Sequence, residues 1–265
     1  MAVITMIQAQ KRAGRYNIFV DGHYAFPVSE NVLIDFQLFK GMEIDQALEE
    51  RLTAADDIAK AYNRALDYLS QQLRTEKEVR TKLASLEIPP ETIDATLDRL
   101  RELSLVDDAH YAASYVRTMM RTGDKGPRVI HQHLRQKGVP EHPIEDALQL
   151  YTAEERFAVG TTVAKKLAKR YQRQAFHTQE QKIRQGLITR GFASDEAKEM
   201  VADLALTPDA EQQADLLAKQ GEKLWHKYRT RAMSDRRYRT KQALYRKGFA
   251  LDDIDHWLTT VVGDD

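Results

Sequence analysis

The 265-residue sequence contains no cysteine, which excludes disulfides, thiolate nucleophiles and Cys-ligated zinc. No apolar run approaches the roughly 20 residues a helix needs to cross a bilayer. Its start, MAVITMIQAQKR, lacks the basic stretch and apolar core of a signal peptide. A cytoplasmic monomer with no membrane partner is expected. Neither a GxxxxGK[ST] loop nor a GxGxxG after a strand is present. No acid, base and nucleophile fall into a converging set, so neither an enzyme nor a cofactor is expected. Net charge is also missing, since 40 Lys and Arg balance 40 Asp and Glu.

That balance conceals segregation. Between Leu216 and Ala250, eleven Lys/Arg face only Glu222 and Asp235. Between Thr162 and Arg190, eight face only Glu180. Acid gathers at Glu43, Asp45, Glu49, Glu50, Asp56 and Asp57, and again at Asp252, Asp253, Asp255, Asp264 and Asp265. A basic second half suits a polyanionic or acidic partner, although long solvated helices often carry such charge.

What the sequence does have is a fourfold pattern. Leu83, Leu134, Leu187 and Leu244 lie 51, 53 and 57 residues apart. Five residues after each stands Ile88, Val139, Phe192 or Phe249; ten after stands Ile93, Ile144, Ala197 or Ile254; fourteen after stands Leu97, Leu148, Val201 or Leu258. Three copies place a basic residue and a glycine before the +5 position: Lys137-Gly138, Arg190-Gly191 and Lys247-Gly248. The i, i+3, i+4 spacing of Ile58, Ala61, Tyr62, Ala65, Leu66 and Leu69 is helical. Each unit divides into three helices, the Gly turn separating the second from the third. In the second unit, Asp107 or Asp108 caps the first helix, the Gly123 to Pro127 loop breaks it, and Pro127 opens the next. The first unit has Glu87 where the others have glycine, so its turn needs another geometry or accepts strain. A period near 50 marks a repeat array whose units bury too little to be secure alone.

The first 40 residues differ. VITMIQAQ, RYNIFV and HYAFPV read as strands, with Asp21-Gly22 forming a type I′ hairpin turn. Pro27 places the last arm at an edge. Ser29 caps a helix over SENVLIDFQLF that Gly41 ends. The fold class is therefore mainly α: tandem three-helix repeats forming an elongated curved array behind a small N-terminal β-hairpin module. The expected divisions are a module at 1–53 and repeats at 54–104, 105–151, 152–205 and 206–265, the last with an acidic tail.

Three groups merit weighing as sites. His131 and His133, at i, i+2 on a helix, point to different sides and read as exposed histidines rather than metal ligands. Met119, Met120, Trp225 and Trp257 read as core or inter-unit residues. Lys227, Arg229, Arg231, Arg236, Arg237, Arg239 and Lys241 cluster around Tyr228 and Tyr238. Arginine there can hold phosphate or carboxylate bidentately. The second and third helices also share the outline of a helix-turn-helix, a weak signal on its own.

The segment from Leu103 to Val139, LSLVDDAHYAASYVRTMMRTGDKGPRVIHQHLRQKGV, resembles the signature of the RecX regulatory proteins, bacterial modulators of RecA recombinase. The matching residues are Asp107, Asp108, Tyr111, Ala112, Tyr115, Val116 and Arg117, then Gly126, Arg128, Ile130, Leu134, Lys137 and Gly138. TEKEVRTKL (75–83) resembles the family's first repeat, and RYNIFVDGHYAFPVSENVL with Lys40-Gly41 resembles the extension of longer Gram-positive members. Ser104 stands where a glycine is common and His133 where a glutamate is common. The resemblance implies an array that lies along the RecA nucleoprotein filament and lowers strand exchange, ATP hydrolysis and coprotease activity. From charge and position, Arg117, Arg128, Lys137 and the cluster from Lys227 to Lys241 are the candidate RecA or DNA contacts. A direct binder of single- or double-stranded DNA and a non-catalytic helical adaptor are the alternative readings.

Overall fold

The computed structural model describes residues 2–263, so Asp264 and Asp265 of the acidic tail lie outside the described residues. Three strands, β1 (Ala2–Ala9), β2 (Arg15–Val20) and β3 (His23–Ser29), form an antiparallel meander. Asp21 (φ 49°) and Gly22 (φ 86°) supply the two left-handed residues that a type I′ turn requires. Pro27 sits in the edge strand β3, where its missing N–H leaves no inner ladder bond unmade. A two-residue strand, β4 (Glu43–Ile44), pairs with β1 and completes the order β3-β2-β1-β4; nothing in the acidic context of Glu43 announces it.

Helix α1 is shorter than its sequence suggests. Ser29 caps it through the Val32 amide, but it runs only from Glu30 to Asp35, because Gln37 turns left-handed (φ 49°). Gly41 serves the turn before β4 instead of ending a helix. The module's core of Ile4, Ile18, Phe26, Val28 and Val32 continues onto Leu52 and Ala59 of α2 (Gln46–Leu69). Asp56 ties the two together. Its carboxylate, 2% exposed, accepts from Arg15 Nη1 at 2.6 Å and the Ser29 amide at 2.7 Å, with Lys60 Nζ at 3.1 Å.

Among the described residues, twelve helices follow the module as four sets of three. They are α2, α3 (Glu76–Ala84) and α4 (Pro90–Glu102); α5 (Asp108–Thr122), α6 (Pro127–Gln136) and α7 (Glu141–Gln149); α8 (Ala153–Tyr171), α9 (Phe176–Thr189) and α10 (Ser194–Asp203); and α11 (Ala210–Lys227), α12 (Met233–Arg246) and α13 (Leu251–Gly263). Leu83, Leu134, Leu187 and Leu244 are all fully buried, as are Ile144, Ala197 and Ile254 ten residues on. Leu83 belongs to a core with Val79, Ile93, Leu97 and Leu100; Leu187 to one with Leu167, Ile183, Phe192 and Met200; Leu244 to one with Trp225, Phe249, Ile254 and Leu258. The repeated spacing is thus a repeated core. The chain forms two compact units, Met1–Ser114 with Leu134–Ile144, and Tyr115–His133 with Glu145–Asp265.

The turns at Gly138, Gly191 and Gly248 are left-handed, with φ between 88° and 94°. Glu87 takes the same region at φ 60°, so the first repeat accepts the strain, at a cost of roughly 1–2 kcal/mol for a residue with a Cβ. Ser104 (φ 52°) and Ala205 (φ 45°) do likewise, just after the third helices of the first and third repeats.

Candidate functional site

Three of the residues behind the family resemblance, Asp108, Lys137 and Gly138, meet at the start of α3. Asp107 caps its own helix, accepting from the His110 amide at 2.9 Å. Asp108 does something else: it accepts from the Glu76 amide at 2.9 Å and so caps the first turn of α3, 32 residues upstream. The Thr75 hydroxyl donates to the Lys137 carbonyl at 2.7 Å, and Lys137 Nζ reaches Glu78 Oε1 at 2.6 Å. Lys77 Nζ donates to the Gln136 carbonyl at 3.1 Å. The basic-Gly turn of the second repeat is seated on the second helix of the first.

Electrostatics reinforce this seat. Burial pushes the Glu78 carboxyl up, but bonds from Lys137 and the Thr75 amide outweigh it and hold the pKa below the usual value. The Glu78 bond raises Lys137 against a smaller burial effect. Burial raises Asp108, against the Glu76 amide that favours its ionised form. Burial and then the Glu78 charge raise the Tyr111 phenol.

The same joint recurs twice with other chemistry. At the start of α6, the Gly126 amide donates to the Arg190 carbonyl at 2.7 Å and the Arg128 amide to the Gly191 carbonyl at 3.2 Å. Arg190 also bonds Asp124 at 3.2 Å, and the Tyr151 hydroxyl donates to the Lys125 carbonyl at 3.4 Å. At the start of α9, the Thr178 hydroxyl donates to the Lys247 carbonyl at 2.7 Å, and Gln213 accepts from the Phe176 amide at 3.0 Å. In each case a helix start with open N–H groups, or a hydroxyl beside it, meets the carbonyls that a left-handed turn leaves free.

The candidate contact residues fare differently. Arg117 and Arg128 are exposed on α5 and α6. Lys137 is engaged in the first joint. In the fourth repeat most of the basic cluster is occupied within the chain. Arg236 lies over the Trp225 ring at 3.8 Å and donates to the Trp225 carbonyl at 3.1 Å. Arg239 pairs with Asp235 at 2.9 Å, Arg231 approaches the same carboxylate at 3.9 Å, and Lys241 pairs with Asp255 at 2.6 Å. Arg229 bonds the His226 ring, and Lys227 lies 5.6 Å from the Tyr228 ring centre. Arg237 is exposed and forms no ion pair among the described residues. The histidines are not the exposed pair their spacing suggests: both are half-buried, and His133 stacks on Tyr115 at 4.4 Å. Among the described residues no group of three or more potential ligands gathers for a metal, and no helix is long and apolar enough to cross a membrane.

Models of the RecX first and second three-helix domains match residues 61–100 and 107–148, and that of the third matches 211–258. The model of the regulatory protein RecX N-terminal domain matches 2–45. The regulatory protein RecX of Levilactobacillus brevis is 73% identical over 258 residues, covering 97% of each chain. The chain belongs to the RecX family. The RecX of Limosilactobacillus reuteri is 49% identical, with 97% of this chain and 98% of that one covered. A crystal structure of regulatory protein RecX superposes with a TM-score of 0.71 at 50% identity, covering 77% of this chain and all of that one. RecX from Lactobacillus salivarius gives 0.55 at 48% identity, covering 58% and 99%. In this RecX family member, α8–α10 lie between the matches to the second and third three-helix domains.

Proposed function

We propose that this protein regulates the RecA recombinase by binding along the RecA nucleoprotein filament and, in the main, inhibiting strand exchange, ATP hydrolysis and coprotease activity. The observation that carries the reading is the tandem joint. Three times, a basic-Gly turn is seated on the start of the preceding repeat's second helix. Repeats held this way make a ligand suited to a periodic partner, where each unit gains a weak contact and the total becomes tight. No covalent step is needed, because occupying a filament surface opposes addition and rearrangement of protomers.

Arg117, Arg128, Lys227 and Arg237 are the foremost contact residues in this reading, being exposed and outside any ion pair among the described residues. Arg229, Arg231, Arg239 and Lys241 would exchange an internal partner for an external one. Lys137 and Arg236 support the surface from within.

The test is co-sedimentation with RecA on single-stranded DNA, together with its DNA-dependent ATPase. Dose-dependent inhibition and joint pelleting are expected, weakened by Arg117→Glu with Arg128→Glu. Tight DNA binding with no effect on RecA would sink the reading and favour a direct nucleic-acid binder. No effect in either assay would leave a helical adaptor.

A further inference from the structure

The third repeat carries a dense cluster of positive charge that no ion pair among the described residues neutralises. Lys165, Lys166, Lys169 and Arg170 of α8 are exposed, as is Arg173 in the turn that follows. None of the five forms an ion pair with a described residue. In the fourth repeat Asp235 and Asp255 neutralise Arg239 and Lys241. Its exposed cations without an ion pair among the described residues, such as Lys219, Lys223, Lys227 and Arg237, are spread over α11 and α12 rather than gathered within six residues of one helix.

The placement is one-sided. At about 100° per residue, Lys165, Lys166, Lys169 and Arg170 share an arc of roughly 140°. Gly160, Val163, Ala164 and Leu167 fill the opposite side and are buried. The acids of α8, Glu154 and Glu155, stand at its other end, where Glu155 closes a capping box with Thr152. Lys182 of α9 extends the basic end: its Nζ is 5.5 Å from the centre of the Tyr171 ring and bonds Gln174 Oε1 at 2.7 Å. Cations in the last turn, here Lys169 and Arg170, are expected from the helix dipole, but Lys165 and Lys166 lie before that turn, and the dipole does not account for them.

We propose that this face of α8 is a binding surface for the phosphodiester backbone of nucleic acid, engaged without base recognition. The choice of partner follows from what surrounds the cations. Protein interfaces are built on a desolvated apolar core depleted of charge. Among the described residues, no large apolar side chain between Leu150 and Met233 is exposed. The face therefore offers no anchor for an acidic protein and no apolar wedge for a lipid surface. Phosphate contacts need neither, since flexible lysines act as point charges along a charged strand.

This inference does not rest on the RecA reading, and its test contains no RecA. The full chain is titrated by fluorescence anisotropy against a mixed-sequence oligonucleotide, single-stranded and duplex, over a range of salt. Lys165→Gln, Lys166→Gln, Lys169→Gln and Arg173→Gln together are expected to weaken binding roughly tenfold or more at low salt. They should also reduce the slope of log K against log salt by about 3. Replacing the three lysines by arginine should preserve both. A charge-matched control in the fourth repeat, Lys219→Gln, Lys223→Gln, Arg246→Gln and Lys247→Gln, all exposed and outside the proposed contacts, should change them far less. Unchanged affinity and slope in the fourfold variant would overturn the proposal, as would an equal loss in the fourth-repeat control. Loss of binding to phosphatidylserine vesicles with DNA binding intact would also overturn it, assigning the face to a membrane. Amine-acylation footprinting of the unaltered chain needs no variant: bound DNA should protect Lys165, Lys166 and Lys169, and failure to do so refutes the assignment.

Discussion

Gly126→Ala should damage this protein more than its modest chemistry suggests. A Cβ at Gly126 would lie 2.4 Å from the Gly191 carbonyl carbon and 2.5 Å from both its oxygen and the Phe192 nitrogen. All three are backbone atoms, so no rotamer change relieves the clash, and the two segments must part by about 1 Å to restore ordinary contact near 3.5 Å. That movement breaks or stretches the Gly126 to Arg190 and Arg128 to Gly191 hydrogen bonds, worth about 1 kcal/mol each, and more if the groups stay buried without water. Overpacking adds about 1–3 kcal/mol, so the loss should be about 3–5 kcal/mol. Gly41→Ala is the control. Its φ of 98° makes alanine strained by roughly 1–2 kcal/mol, but a Cβ there would meet no atom within 4 Å. Urea unfolding of both variants, with hydrogen exchange at the Gly126 and Arg128 amides, makes the comparison. Gly126→Ala should lose more stability and lose protection at those two amides. Equal destabilisation with both amides still protected would refute the joint as described.

Three further outcomes follow from the same contacts. The Glu78–Lys137 pair is partly exposed, so a double-mutant cycle with Glu78→Gln and Lys137→Met should give a coupling of about 1 kcal/mol. Glu78 has a lowered folded pKa, so its share is complete above about pH 4.5 and fades as pH falls through the lowered value; Lys137 has a raised one, so its share is complete below about pH 10.5 and is lost only above the raised value. A coupling constant between pH 6 and 9 and gone in strong acid is therefore expected, and one that peaks in acid would contradict the pairing. Asp56→Ala leaves Arg15 and the Ser29 amide without their acceptor, which should cost about 3–5 kcal/mol by thermal or urea unfolding; a loss below 1 kcal/mol would show that solvent replaces the carboxylate.

Much of the fold was legible because the repeat is a core pattern. Positions fixed by burial, such as Leu83, Leu134, Leu187 and Leu244, show their spacing without any partner being known. The Asp21-Gly22 hairpin was equally plain, since few residues adopt two successive left-handed conformations. Helix α1 is shorter than its pattern suggests because its apolar residues run on through Phe36 and Phe39, while Gln37 turns left-handed under tertiary control. The role of Asp108 was illegible for a different reason: the amide it caps lies 32 residues away, and no local spacing reports that. The α8 cations were visible as a charge excess, but charge counts are blind to pairing. Counting alone favoured the fourth repeat, where Asp235 and Asp255 neutralise part of the cluster.

The joints also explain why the most recognisable residues need not be the ones that meet a partner. Asp108, Tyr111, Lys137 and Gly138 carry the family resemblance, and Asp108, Lys137 and Gly138 are spent on holding the second repeat to the first. Replacing them changes the scaffold before it changes any surface. Function in a repeat protein of this kind must therefore be sought among side chains that the joints leave exposed, and those differ from repeat to repeat. The first joint is ionic, the second is a close approach of two glycines, and the third rests on a hydroxyl and an amide. The second repeat exposes Arg117 and Arg128, the third exposes the α8 lysines, and the fourth pairs Arg231, Arg239 and Lys241 internally while leaving Lys227 and Arg237 exposed. Unequal surfaces on equal cores give one chain different exposed chemistry from repeat to repeat. On this argument, charge neutralisation in α8 and in the second repeat should impair binding in separable ways, while a broken joint should impair both at once.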